Sequence, residues 1–331
     1  MDDKRRHKIG AVMVLYNPAW SLTMEAVDAL LPQVDVLCVV DNTPGADNSA
    51  RFAGRPDIIY VANGANVGIA AAQNAGIRRL LELNCDFLIF SDQDSMTEPD
   101  TVAKLYDSTM YMMRRGIAVG IVCTRAMNRM TGCKYSISGN GRWTPPELAG
   151  DPRAEDITEC YAVRSSVSMV SASNFLLVGG FDESLFIDGV DHEWCWRAWH
   201  HHRLRSFVIE SAIMKHMIGE GSRTLAGKSI SIPAPMRVYY QYRNYLWLRR
   251  RDYIPSAWLK RNLRKYMLKM MYYPVMVAPR MKYLRNILAG ISDGIRRHPA
   301  EPGWPRFGGT ASASNGAAKA ADTDSRDEVR E

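Results

Sequence analysis

The amino-acid sequence predicts an α/β protein: a mostly parallel sheet flanked by helices, with a basic helical extension on its C-terminal side. Three observations predict it. Short apolar runs without polar alternation recur through residues 9–122, as expected of strands buried on both faces. Stretches of helical spacing separate these runs, and strand–helix alternation makes a parallel, doubly wound sheet. The runs end at Asn, Asp or Gly, and right-handed crossovers place those loops on one rim.

Ile9–Leu15 reads as the first strand, closed by Tyr16-Asn17-Pro18. Trp20–Leu31 has helical spacing, with Leu22, Ala26, Ala29 and Leu30 on one side. Val36–Val40 is a second strand ending in Asp41-Asn42, and Ile58–Val61 a third, followed by Asn63, Asn66 and Gly68. Ile69–Leu83 is a helix, Phe87–Phe90 a strand, Pro99–Arg114 a helix and Ile117–Val122 a strand. Residues 123–170 are punctuated by Gly and Pro and show little period. Val167–Val178 reads as a further strand, and Ser206–Ile209 as a short one before His216.

The strand Phe87–Phe90 ends in Ser91-Asp92-Gln93-Asp94-Ser95. Two carboxylates spaced i, i+2 at the carboxyl end of a buried strand lie where open α/β sheets bind ligands. Such oxygen ligands suit a hard divalent cation shared with phosphates. The spacing alone is common, roughly one per 250 residues at average composition, and Asp322-Thr323-Asp324 repeats it. Tyr16, Asn17, Asp41, Asn42, Asn63, Asn66 and Gly68 share the predicted rim. Any one of these loops is equally an ordinary turn; four on one rim point to a nucleotide site.

A chain of 331 residues, 47% hydrophobic and 23% charged, reads as globular, with one or two domains. Six scattered cysteines without a Cys-x-x-Cys pair argue against zinc or disulfide frameworks and for reduced thiols in the cytoplasm. The polar N-terminus carries no apolar signal segment, and no run of about 18 apolar residues predicts a membrane span. Charge is uneven. Residues 237–298 hold 15 Lys and Arg against Asp252 and Asp293, which leaves the rest of a +7 chain net acidic. That asymmetry points to an anionic partner surface.

In order and spacing, Val12-Met-Val-Leu-Tyr-Asn-Pro18, Val39-Val-Asp-Asn42, Asn66-Val-Gly-Ile-Ala-Ala-Ala-Gln-Asn-Ala-Gly76 and Ser91-Asp-Gln-Asp94 resemble the inverting glycosyltransferases of family two. Within that family the likeness is to bacterial rhamnosyltransferases, over roughly residues 8–221. The resemblance implies a GT-A fold and a nucleotide-sugar donor faced by Tyr16, Asn17, Asp41, Asn66, Gly68, Asn74, Asp92 and Gln93, with Asp41 at the nucleobase and Asn66 and Gly68 lining the base and ribose pocket. It also implies a divalent metal, Mg2+ or Mn2+, on Asp92 and Asp94, with His216 completing the set.

Asp188-Gly-Val-Asp191-His-Glu193-Trp194-Cys-Trp-Arg197 resembles the family's pattern around its catalytic base, with Val190 where many members have Glu. Inverting transfer needs one base for the acceptor hydroxyl while a metal stabilises the diphosphate leaving group. The alignment gives that base as Asp191, supported by Glu193, Trp194 and Arg197. Asp188 at i−3 shares its face on a helix and reads otherwise as a cap. His200-His201-His202 reads as an exposed helix end.

From Pro235 aromatics and cations interleave at helical spacing over 236–298. Such helices suit the interface of an anionic membrane; RNA binding and a plain packed subdomain are the competing readings. Taken with the resemblance, the expectation is a catalytic domain over 1–235 (donor half about 8–122, acceptor half about 123–235), a membrane-associating segment over 236–298 and a disordered tail over 299–331. The enzyme would transfer L-rhamnose from dTDP-L-rhamnose to a lipid-linked saccharide of a bacterial surface polysaccharide. It would sit in the cytoplasm on the inner membrane, with no nucleic acid partner. A donor such as a UDP-hexose stays open, as do a nucleotidyltransferase and a non-catalytic basic module. The first of these rivals would show a Gly-rich phosphate loop with Arg and Lys after the first strand, and Tyr16-Asn17-Pro18-Ala19 has neither.

Overall fold

A computed structural model describes residues 7–135, 143–216, 222–225, 228–299 and 303–307, with the backbone alone at 222–225 and 228–231. Strands β1 (Ile9–Leu15), β2 (Val36–Asp41), β3 (Ile58–Ala62) and β4 (Phe87–Asp92) form a parallel block in the order β3-β2-β1-β4. Alternate residues feed two cores. Val12, Val14, Cys38 and Val40 face one side of the sheet, and Ala11, Met13, Leu15, Leu37 and Val39 the other. Both faces are covered, which is why these strands read as unbroken apolar runs. Each fully buried Val or Leu contributes about 1.5–3 kcal/mol, so the block is a rigid base for the loops above it.

Helix α1 (Trp20–Leu30) lies on the second face with α3 (Thr101–Arg114). Helix α2 (Ile69–Glu82) covers the first through Ala70, Ile77 and Leu80.

Past β4 the sheet becomes mixed. A short strand β5 (Ser95–Thr97) leads to α3 and then β6 (Val119–Asn128). Beyond β7 (Ile157–Cys160), β8 (Ser168–Ser171) inserts antiparallel between β4 and β6. The sequence reading of one strand over Val167–Val178 is therefore corrected. Ser171 Oγ accepts the Asn174 N–H at 3.2 Å and starts helix α4 (Ala172–Val178), whose apolar run at short length fits strand or helix equally. Helix α5 (Val190–His202) leads to β9 (Arg205–His216), three times the length expected from Ser206–Ile209. It pairs parallel with β6 and antiparallel with β7, and its far end reaches β5, where Ser95 opposes His216. The strands β10 (Ser222–Leu225) and β11 (Lys228–Ser231) form a separate hairpin.

Three helices close the chain: α6 (Pro235–Leu248), α7 (Ser256–Met276) and α8 (Arg280–Arg296). Their own core contains Val238, Tyr242, Tyr273, Tyr283 and Ile287. A Cβ on Gly290 would come within 2.4 Å of the Tyr239 carbonyl oxygen, so glycine lets α8 lie directly on α6. Trp247, Leu248 and Ile254 join the core of the sheet, which ties α6 to the α/β body. The outer side of α7 leaves Leu263, Met267, Leu268, Met271, Val275 and Met276 exposed. No helix among the described residues is long and apolar enough to cross a membrane.

Residues 303–307, expected within the disordered tail, lie along the turn before α5. Gly180 N–H donates to Pro305 O at 2.8 Å, and Trp304 covers the Arg197 guanidinium at 4.3 Å. Residues 300–302 and 308–331 of that tail lie outside the described residues, as do 217–221.

Candidate active site

Register places the donor loops together. Leu15 pairs with Asp41, and Val14 with Asp92, so Tyr16, Asp41 and Asp92 emerge at the same end of three adjacent strands. Tyr16 is 45% exposed and held by its backbone: its N–H donates to Gln93 Oε1 at 2.8 Å. Asn17, at φ 44, donates its N–H to Thr43 Oγ1. Gln93 thus ties the first loop to the Asp-x-Asp turn.

Asp41 is only 1% exposed. Its carboxylate accepts from Thr43 N, Asn48 Nδ2 and Tyr60 OH at 2.8, 2.7 and 3.0 Å. Burial pushes its pKa up, but the hydrogen bonds from Asn48, Thr43 and Tyr60 outweigh it and hold the carboxyl below its ordinary range. In this arrangement Asp41 shapes the 42–48 loop. Asn42 donates to Gly68 O and accepts from Asn63, and Asn66 Oδ1 accepts the Gly68 N–H at 3.1 Å. Gly68 stands at φ 86, and a Cβ there would meet Phe186 within 2.6 Å, so no other residue fits.

Asn74 lies elsewhere than expected. It is fully buried; Nδ2 donates to Phe181 O and Glu183 Oε1, both at 2.9 Å, and Oδ1 accepts from Phe181 N. It fixes the 181–183 turn and has no surface to offer a donor.

The metal-ligand set expected of Asp92, Asp94 and His216 comes together only in part. Because β5 follows the turn at once and pairs with the end of β9, His216 is carried beside Asp94, Nδ1 to Oδ1 3.6 Å. That distance exceeds a hydrogen bond, and His216 Nδ1 is buried without a partner. Burial raises the Asp94 pKa and Asp92 adds to it, while His216 opposes the rise. A partly buried carboxylate facing an orphaned imidazole nitrogen fits a divalent cation. One oxygen of Asp92 is engaged: its Oδ2 accepts from Ser166 Oγ at 2.7 Å. Among the described residues no group of three His, Cys, Asp or Glu side chains is close enough to hold a metal as it stands.

At the other end, Asp191 sits in the first turn of α5, with Oδ1 accepting its neighbour His192 N at 2.9 Å and Oδ2 near Ser165 N at 3.3 Å. Ser165 and Ser166 therefore touch both ends of the site: the backbone of one holds Asp191, and the hydroxyl of the other holds Asp92 and reaches Ser95 Oγ at 2.8 Å. Nothing in the sequence marked this dipeptide.

Asp188 is not on the helix. It precedes Gly189, which takes the N-cap position, and has φ 65. Instead of capping, its carboxylate pairs with Arg237 of α6 at 2.8 Å. The hydrogen bonds that Arg237 donates to Asp188 outweigh burial and raise the Arg237 pKa, with Asp191 and Asp92 contributing more weakly. Asn244 Nδ2 lies within 2.7–2.9 Å of the carbonyls of Leu185, Ile187 and Asp188. Helix α6 thus holds the loop that delivers Asp191. The basic, aromatic character of the segment hid Arg237 and Asn244, because neither carries a motif.

Glu193, Trp194 and Arg197 lie on the buried side of the first two turns of α5. Arg197 bonds Glu193 at 2.9 and 3.1 Å and the carbonyls of Val178 and Gly180 at 2.7 Å. Glu193 also accepts from Tyr253 OH and pairs with Arg251, which in turn pairs with Asp182. Trp194 Nε1 donates to Gly179 O, and its ring stacks on Phe175.

The chain has the fold of the GT-A glycosyltransferases. It superposes on a structure of GalNAc-T7 with UDP, GalNAc and Mn2+ at a TM-score of 0.51 and 14% identity, covering 84% of this chain and 59% of that one. On TarS 1–349 of S. aureus the TM-score is 0.52 at 12% identity, covering 87% of this chain and 81% of that chain. Residues 11–128 match the family described as "Glycosyl transferase family 2". A protein of Shigella flexneri named "dTDP-rhamnosyl transferase RfbF" is 31% identical over 294 residues, 87% of this chain and 95% of the relative. The chain belongs to glycosyl transferase family 2 and is a glycosyltransferase.

Proposed function

We propose that this enzyme transfers L-rhamnose from dTDP-L-rhamnose, with inversion, to a lipid-linked saccharide in bacterial surface polysaccharide synthesis. The donor reading is supported by the name of the relative that matches nearly end to end. The observation that supports the mechanism is the Ser165–Ser166 bridge, whose adjacent residues hold the Asp92 end of the site and the lone carboxylate of Asp191.

Asp191, fixed by two backbone N–H groups, takes the proton from the acceptor hydroxyl, whose oxygen displaces the diphosphate from the anomeric carbon in one step. A single base on that side suits direct displacement, unlike the paired carboxylates of a glycosidase. Tyr16, Asn66 and Gly68 line the donor side, with Asp41 and Gln93 holding their loops in place. Asp94 and His216, with Asp92 beside them, would hold Mg2+ or Mn2+. Such a cation, when bound, neutralises charge on the departing diphosphate.

The exposed apolar side of α7 and the cations of 237–298 support attachment to the cytoplasmic face of an anionic inner membrane, at about 1 kcal/mol per cation near the surface. A panel of nucleotide sugars, each assayed with and without chelator, tests the chemistry. Metal-dependent turnover of dTDP-L-rhamnose is expected, and Asp94→Ala should abolish it. Turnover of a UDP-hexose alone would overturn the donor, and undiminished turnover in chelator the metal. Sedimentation with anionic vesicles, reduced by Leu268→Asp/Met271→Asp on the exposed side of α7, tests the membrane reading; unchanged sedimentation sinks it.

A further inference from the structure

The side of α7 that faces α6 carries positive charge to which the site above gives no role. Lys269 Nζ lies 3.1 Å from Gln241 Oε1, and Gln241 Nε2 lies 3.5 Å from Asp188 Oδ2, the carboxylate clasped by Arg237. Lys265 stands one turn earlier on α7. The charges of Asp188 and Arg164 act on Lys265, and those of Lys265, Asp188 and Arg237 act on Lys269. The Lys269 ammonium is also packed near the rings of Tyr266 and Tyr273, at 5.8 and 5.6 Å. Among the described residues neither lysine has an ion-pair partner.

Two like charges at i, i+4 on one helical face repel, and Arg237 adds a third against the single carboxylate of Asp188. Burial pushes Lys269 down to about 8, with Lys265 adding to the shift, so the unliganded cluster already resists its own charge. An anion would relieve it. The charges of Asp191 and Asp92 also act on Arg237, and the Asp188 that it clasps lies three residues before Asp191. Beyond Lys269 the same helix runs on to exposed Met271, Val275 and Met276.

We propose that Arg237, Lys265 and Lys269 form a subsite for a diphosphate, on the cleft wall supplied by α6 and α7. Three cations from two helices match the several oxygens of such a group, with Arg supplying a planar fork and Lys compact charge. The proposal rests on the glycosyl-transfer reading, in which both the nucleotide-sugar donor and the lipid-linked acceptor carry a diphosphate.

Calorimetric titration of inorganic pyrophosphate into the full chain, with EDTA present, tests the subsite without any metal. Saturable binding is expected, about tenfold or more weaker for the double variant Lys265→Gln/Lys269→Gln and recovered by Lys265→Arg/Lys269→Arg. Equal binding by wild type and the Gln variant overturns the proposal, as does no binding by wild type. Competition then assigns the source. Displacement of pyrophosphate by dTDP-L-rhamnose assigns the subsite to the donor, and displacement by a polyprenyl diphosphate in neutral detergent assigns it to the acceptor. Displacement by neither overturns it. A wild-type protein that binds pyrophosphate through these lysines yet transfers no sugar keeps the subsite and sinks the transfer reading.

Discussion

Two clusters of charge meet at the first two turns of α5, and they differ in how far they are satisfied. In one, the side chains of Asp182, Glu193, Arg197 and Arg251 are buried, and each is paired with opposite charge and further hydrogen bonds. In the other, Asp191, Asp94 and His216 are partly open; His216 Nδ1 has no hydrogen-bond partner, and Asp94 is forced upward in pKa by burial. Charges whose bonds are complete inside the protein have nothing left for a ligand, and they serve the fold. Charges left incomplete are costly to the fold and available to chemistry.

The largest expected effect breaks the complete cluster. Glu193→Ala leaves Arg197 and Arg251 buried against one remaining carboxylate, and should cost about 3–5 kcal/mol in denaturant unfolding. A loss below about 1 kcal/mol would show that the network is not what anchors α5. Next, Asp191→Asn should lower transfer by roughly a hundredfold or more while donor affinity and melting temperature stay near wild type. A fall in melting temperature matching that of Glu193→Ala would mean that Asp191 belongs to the fold and not to the reaction.

Asn74→Ala should be intermediate. It strands the Phe181 N–H and carbonyl, so about 1–3 kcal/mol of stability is expected, with donor affinity falling only as far as the 181–188 turn loosens. A loss confined to donor binding, with stability unchanged, would return Asn74 to the donor pocket.

The smallest effect has the opposite sign. A carboxyl whose pKa is raised on folding contributes most below its unfolded value near 4, and loses that contribution as pH rises through the folded value. At neutral pH the ionised Asp94 therefore weakens the metal-free fold. Asp94→Asn should raise its stability at pH 7 and not at pH 3. Because the side chain is 38% exposed, the gain should stay under about 1 kcal/mol. Destabilisation at pH 7 would contradict the contrast between the two clusters.

Much of the donor half was legible from residue order. The strands through Phe90 are apolar because both faces of the sheet are covered, and their ends carry Asp41, Asn66 and the Asp-x-Asp turn at spacings that chance alone would not assemble. Periodicity failed at Val167–Val178, where a strand and a helix of about two turns share one largely apolar stretch. It also failed for Asp188, which lies before the helix and is turned to Arg237, 49 residues away; Asn74, which the resemblance put at the donor, bonds a turn 107 residues away.

What the sequence determined by itself is the parallel core and the residue types on its rim, because burial period and loop chemistry are local properties. Tertiary structure alone decided which of those groups are left incomplete. Ser166 engages Asp92 across 74 residues, β9 extends far enough to bring His216 to Asp94, and α6 holds the loop before Asp191 through Arg237 and Asn244. Each depends on a side chain meeting a partner distant in the chain, and no local pattern records which partner it meets.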